Sequence, residues 1–171
     1  NFELDPNQEA PTQIAYAVYP DVKVDSLRVG VFYLNFPDRQ ELGNDVSDAC
    51  VYAGFVENNN VILQNASGIL TFTLNQDEVG KCVFKCNQGQ AIAGYAKLAM
   101  TKEISVTKVP GRGIDSIELE GEEVQFQKGS THSIAILPGT YDLSYNLISS
   151  EGVILVDETV SDKVTVASGQ K

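Results

Sequence analysis

His132 is the one histidine in the chain and therefore the first candidate for catalysis or metal binding. Ser133 follows it directly, but adjacent residues of a β-strand point to opposite faces of the sheet. The two side chains therefore do not form the serine-histidine pair that a hydrolase triad needs. Zinc would want four ligands at close spacing, which one histidine does not supply. The pattern predicts that His132 is a strand or rim residue.

Three cysteines, Cys50, Cys82 and Cys86, are an odd number, so at least one has no disulfide partner within the chain. Cys82 and Cys86 lie in a segment that alternates like a strand, which would place their Cα atoms about 13 Å apart. That separation exceeds the limit of about 7 Å for a disulfide. Two interpretations stay open: three small apolar side chains facing a core, or a bridge between Cys50 and one of the others.

A cluster of carboxylates could suggest calcium or glycosidase chemistry; it comprises Glu118, Glu120, Glu122 and Glu123. Strand alternation puts Ile117 and Leu119 on the buried face and leaves Glu118 and Glu120 on the solvated face. The chain has no loop of the Asp-x-Asp-x-Asn-Gly type that wraps calcium. We therefore interpret the cluster as a solvated acidic edge, which would also oppose edge-to-edge aggregation.

Phosphate and sugar sites have weaker signals. Gly111-Arg112-Gly113 lacks both the spacing and the following helix of a phosphate loop. Tyr52, Tyr95 or Tyr145 could form an aromatic sugar platform, with core or rim packing as the alternative. We predict no catalytic, cofactor-binding or metal-binding residues, hence no enzyme and no cofactor. A hydrolase whose two carboxylates are far apart in sequence is the competing hypothesis.

Charge and hydropathy narrow the choice of partners. Twenty-three acidic and twelve basic residues give a net charge of −11, which repels nucleic acid and anionic lipid. No run of eighteen apolar residues is present, so we expect no membrane span. A lipid anchor is expected only on a precursor.

The elements that must carry any site are β-strands, because apolar residues recur with a period of two between turn signals. Leu70, Phe72 and Leu74 share one face of a half-buried strand, and Tyr141 begins a second such alternation. We predict eleven or twelve strands, and their further members lie near 14–19, 27–36, 49–56, 60–65, 81–86, 91–99, 104–109, 114–120, 132–137 and 153–166. Turns are predicted at 58–60, 87–89, 110–113 and 138–139. This pattern predicts an all-β protein of stacked antiparallel sheets.

The stretch from Thr101 to Gly113 separates a longer first half from a shorter second half. We place a domain boundary there, giving an N-terminal β-sandwich domain at 1–102 and a C-terminal one at 103–171. One single β domain is the alternative, with this stretch as an edge strand and loop.

Several segments, in order, resemble the fimbrillin-like proteins of Bacteroidetes. Leu63–Phe72 is similar to that family's Phe-x-Asn-x-x-Gly-Leu-Leu-x-Phe stretch, with Leu63 where the family often has an aromatic residue. The other landmarks are Tyr16-Ala-Val-Tyr-Pro20, Asn35-Phe-Pro-Asp-Arg-Gln40, Gly89-Gln-Ala-Ile-Ala-Gly94, Ile114-Asp-Ser-Ile-Glu-Leu119 and Leu137-Pro-Gly-Thr-Tyr141. The likeness extends over roughly residues 16 to 157.

The resemblance implies a transthyretin-like antiparallel β-sandwich, usually doubled, exported as a lipoprotein precursor to the outer membrane and cell surface. It implies a structural or adhesive component of a fimbria (pilus), whose subunits assemble by strand exchange after an N-terminal strand is cleaved off. Its partners would be other fimbrial subunits, and in cell adhesion a host protein or glycan. The alternative is a surface glycan- or protein-binding module that does not polymerise. Asp25-Ser26-Leu27 and Asp115-Ser116-Ile117 also match the O-glycosylation pattern of that phylum.

Overall fold

The computed structural model describes residues 15–20, 24–28, 30–43, 45–57, 60–100, 103–121 and 126–169. Sixteen strands and one short helix make up this part of the chain. They are β1 Ala15–Tyr19, β2 Val24–Arg28, β3 Val31–Phe36, β4 Arg39–Glu41, α1 Val46–Ala49, β5 Tyr52–Glu57, β6 Asn60–Asn65, β7 Gly68–Thr73, β8 Val79–Cys86, β9 Ala93–Met100, β10 Ile104–Ile114, β11 Ser116–Glu120, β12 Thr131–Ile136, β13 Gly139–Tyr141, β14 Leu143–Ser149, β15 Ile154–Thr159 and β16 Val164–Val166.

The prediction of an all-β protein built from several antiparallel sheets is confirmed. The sheets have the strand orders β1-β5-β6, β10-β9-β3-β2, β15-β14-β8-β11-β4, β12-β7 and β13-β16. One pair departs from the antiparallel expectation, since β4 runs parallel to β11. The strand count is higher than predicted. The segment predicted at 27–36 turns at Gly30, whose φ is 68°, and the segment predicted at 153–166 divides into β15 and β16.

Two apolar cores hold the sheets together. The first is lined by Cys82, Phe84 and Cys86 of β8, with alternate residues of the neighbouring strands β11 and β14, and the pair β7 and β12 packs over it. The second lies between β1 and β5 on one side and β3 and β9 on the other. Ile117 and Leu119 are buried while Glu118 and Glu120 keep partial exposure, as their alternation predicts.

Strand pairing runs across the predicted domain boundary at 102/103. β9 and β10 pair with each other over it, β7 pairs with β12, and β8 pairs with both β11 and β14. This continuity favours the alternative of one β domain, and the number of independently folding units stays a prediction. The predicted turn at 110–113 lies inside β10, where the pairing with β9 is interrupted between Lys108 and Gly113.

Candidate functional site

A groove of about 490 Å³ lies beside β7, above the inner face of β14 and β15. Its lining is mainly apolar and comes from β7, β8, β14, β15 and the segments next to them. The residues that line it are Leu70, Thr71, Phe72, Thr73, Leu74, Asn75, Gln76, Phe84, Leu143, Tyr145, Leu147, Val156, Glu158, Val160 and Val164. The groove therefore exposes inner-face residues that a complete two-layer sandwich would cover.

One edge of β7 borders this groove without a strand partner among the described residues. The other edge pairs with β12 from Gly68 to Thr73. On the outer face this pairing is reinforced by side chains, since Thr71 bonds Ser133 at 2.9 Å and Thr73 bonds Thr131 at 3.0 Å. The unpaired edge leaves backbone N–H and C=O groups able to pair with an added strand.

The far edge of the same two-stranded sheet is closed by a side chain. Gln40 donates from Nε2 to the carbonyl of Ala135 at 2.7 Å, and its Oε1 accepts from the Ala135 N–H at 2.9 Å. The glutamine amide thus takes both backbone bonds that a neighbouring strand would make at Ala135. The β12 edge is therefore already paired at Ala135, whereas β7 has no second strand partner among the described residues.

The floor of the groove alternates in polarity along β14 and β15. Leu147 lies opposite Val156, Tyr145 lies opposite Glu158, and the Val160 N–H bonds the Leu143 carbonyl. The Tyr145 hydroxyl donates to Glu158 Oε2 at 2.7 Å. This hydrogen bond, followed by burial, raises the pKa of Tyr145 above its usual value. The polar pair of Tyr145 and Glu158 therefore lies between two apolar cross-strand pairs.

The arrangement suits binding of an extended strand. Main-chain hydrogen bonds to a sheet edge supply affinity, and pockets for alternate side chains supply specificity. Leu70 and Phe72 are half-buried on the groove side, so further apolar area is available for burial.

Protein-family models, curated proteins and solved structures yielded no match to this chain. Function is therefore inferred from its own residues.

His132 lies on β12 and contacts Ser130, not the adjacent Ser133. The Ser130 hydroxyl lies 2.5 Å from His132 Nε2 and also donates to the Gln127 carbonyl. The ring packs against Phe72 and Phe126, with centroids 5.9 and 5.2 Å away. No described carboxylate contacts it, so the described residues do not assemble a triad.

Burial lowers the pKa of His132 below 6.5. The unfolded chain therefore binds the proton more readily, and the free energy of unfolding should be highest above pH 6.5 and fall as the pH drops below it. Urea unfolding measured between about pH 5 and 8 should show this loss for the native chain and not for a His132→Gln variant. A pH slope of equal size in both proteins would contradict the assignment.

The three cysteines are buried. Cys82 and Cys86 line the first core, and burial raises the pKa of Cys82 to about 12. The Asn65 side chain donates to Cys50 Sγ at 3.5 Å. The position of the cysteines in the structure agrees with the first of the two sequence interpretations, in which they are apolar side chains facing a core.

The glutamates of β11 are held by cations. Lys81 forms ion pairs with both Glu118, at 3.3 Å, and Glu120, and Arg39 lies 3.9 Å from Glu118. The hydrogen bond from Lys81 lowers the pKa of Glu120. The partial exposure of Glu118 and Glu120 agrees with the predicted solvated face. The predicted edge is wrong, because β11 pairs with β8 on one side and with β4 on the other. Glu122 and Glu123 lie outside the described residues, as do positions 58 and 59 of one predicted turn.

Tyr52, Tyr95 and Tyr145 lie in three different sheets and form no common platform. Of the two serines in the O-glycosylation pattern, Ser116 is half-buried on β11, and the Ser26 side chain lies outside the described part.

Within the described ranges, no group of three or more His, Cys, Asp or Glu could hold a metal ion, and no helix is suited to crossing a membrane.

Sequence reasoning found Leu70, Phe72 and Tyr145 as strand residues but missed Gln40 and Glu158. Glu158 had a usable signal, because it alternates with Val156 and Val160 and a period of two puts all three on one face. Gln40 had no such signal, since its partner is 95 residues away.

Proposed function

We propose that the protein is a structural or adhesive component of a surface fimbria that accepts a strand from another subunit. The observation that carries the proposal is the unpaired edge of β7 beside an apolar groove. The ordered fimbrillin-like landmarks support it, and the proposal includes export to the cell surface.

Strand addition at β7 would remove two unfavourable features of the free subunit, its unpaired backbone groups and its exposed apolar surface. The backbone groups of the open edge would gain partners, and the inner face of β14 and β15 would lose contact with water. Burying one valine- or leucine-sized side chain contributes about 1.5 to 3 kcal/mol. Several such contacts along a strand would support an assembly that persists outside the cell.

The test is assembly of the full precursor before and after mild trypsin treatment, followed by electron microscopy and unheated denaturing gels. We expect filaments or ladders after trimming for the native protein. A Val156→Lys variant should lose them, because the long charged side chain would occupy the groove floor.

The matched control is Ile154→Lys, on the same strand at 60% exposure and outside the groove lining. It should assemble like the native protein. Circular dichroism of both variants must show a folded chain. Ladders that persist in a folded Val156→Lys variant would reject the groove as the assembly site.

A second candidate is a binding module for glycan or protein that does not polymerise. Tyr33 and Tyr95 stack on the outer face of β3 and β9 with centroids 6.0 Å apart, and the Arg112 guanidinium lies 3.9 Å from the Tyr95 ring centre. Such an aromatic and cationic surface suits recognition by stacking. A glycan array probed with the trimmed chain separates the candidates, because binding without any ladder would favour this module.

A further inference from the structure

Among the described residues that line the groove, Glu158 is the one that is acidic or basic. It lies opposite Tyr145 on the groove floor, between the apolar pairs of β14 and β15. It is exposed to water at present and accepts one hydrogen bond, from Tyr145. No ion pair joins it to a described cation. Among the described residues, its carboxylate therefore has no cationic partner.

A strand paired with β7 would cover the groove and remove much of that solvent. A carboxylate taken out of water needs an opposite charge and further hydrogen bonds, because one neutral hydroxyl satisfies only part of its acceptor capacity. On each side of Glu158 lies a pair of apolar residues, which would bind apolar side chains of an added strand. The pairs are Leu147 with Val156 and Leu143 with Val160.

We propose that the strand accepted from another subunit carries a lysine or arginine, flanked two residues away on each side by apolar residues, that pairs with Glu158. The spacing follows from the strand period, which brings every second side chain to the groove. Residues 1–14 contain no lysine or arginine, so this stretch of a second copy lacks the feature. The inference rests on the proposed function, since it names the chemistry of the partner for the same groove.

The test uses three synthetic peptides with threonine at outward positions and valine at inward ones, differing only at the central inward position, which is lysine, glutamate or valine. Fluorescence anisotropy with the full chain measures binding. We expect the lysine peptide to bind at least about tenfold more tightly than the glutamate peptide. In a Glu158→Gln variant this preference should fall below about twofold, while the valine peptide still binds.

Asp157→Asn is the matched control, because Asp157 is next to Glu158 on β15 and points to the opposite face. It should keep the tenfold preference. Equal binding of the lysine and glutamate peptides, or a preference that survives Glu158→Gln, would overturn the pairing. So would a lysine peptide that does not bind. The filament assay of the Val156→Lys variant tests independently whether the groove is the assembly site. The two assays therefore distinguish failure of the Glu158 ion pair from failure of the proposed function.

Discussion

We expect a Tyr141→Ala variant to lose most of its folding stability. Tyr141 lies in the first core with no exposed surface, and the Lys108 ammonium lies 4.2 Å from its ring centre. Truncating a buried aromatic side chain to alanine costs about 3 to 5 kcal/mol. Whole domains are stable by about 5 to 15 kcal/mol, so the urea midpoint should fall steeply or folding should fail.

A Tyr141→Phe variant keeps the ring and isolates the hydroxyl. That hydroxyl donates to the Leu137 carbonyl at 2.6 Å, with the Pro138 carbonyl 3.1 Å away, and burial raises its pKa well above the usual value. Leaving the buried Leu137 carbonyl unsatisfied should cost about 1 to 3 kcal/mol. Tyr33→Phe, at a half-buried surface position, should change stability by less than about 0.5 kcal/mol. Equal effects of the two phenylalanine variants would contradict the role of the hydroxyl.

We expect Gln40→Leu to destabilise the fold by about 2 to 5 kcal/mol, although leucine is apolar and of similar size. Ala135 is buried, and its N–H and C=O both lose their hydrogen-bond partner, at about 1 to 3 kcal/mol for each unsatisfied group. Urea unfolding followed by circular dichroism measures the loss.

Two variants sharpen that measurement. Gln88→Leu, on an exposed turn, should be within about 0.5 kcal/mol of the native protein. In Gln40→Glu the ionised carboxylate can accept from the Ala135 N–H but cannot donate to its carbonyl, whereas the protonated acid can do both. Its deficit relative to the native protein should therefore shrink as the pH falls. If Gln40→Leu unfolds at the native midpoint, closure of the β12 edge by this amide does not contribute to stability.

The part of this protein that could be predicted from sequence is local. Leu70 and Phe72, or Ile117 and Leu119, alternate with polar residues, and this period reports which face is buried whatever strand lies alongside. A turn was found where glycine adopts a positive φ at Gly89, with a φ of 65°. Strand limits were less accurate, because short strands such as β4 and β13 have too few residues to show a period.

The amino-acid sequence by itself determined that the chain forms strands, which faces of them are apolar, and that no catalytic constellation is signalled. The tertiary structure alone decided which edges are open. The Gln40 amide reaches a strand 95 residues away, and Glu158 faces a groove left uncovered because no described strand pairs with the second edge of β7. Strand pairing and register between segments far apart in the sequence depend on how all the sheets pack together. The local period of apolar residues does not indicate which strand will pair with which.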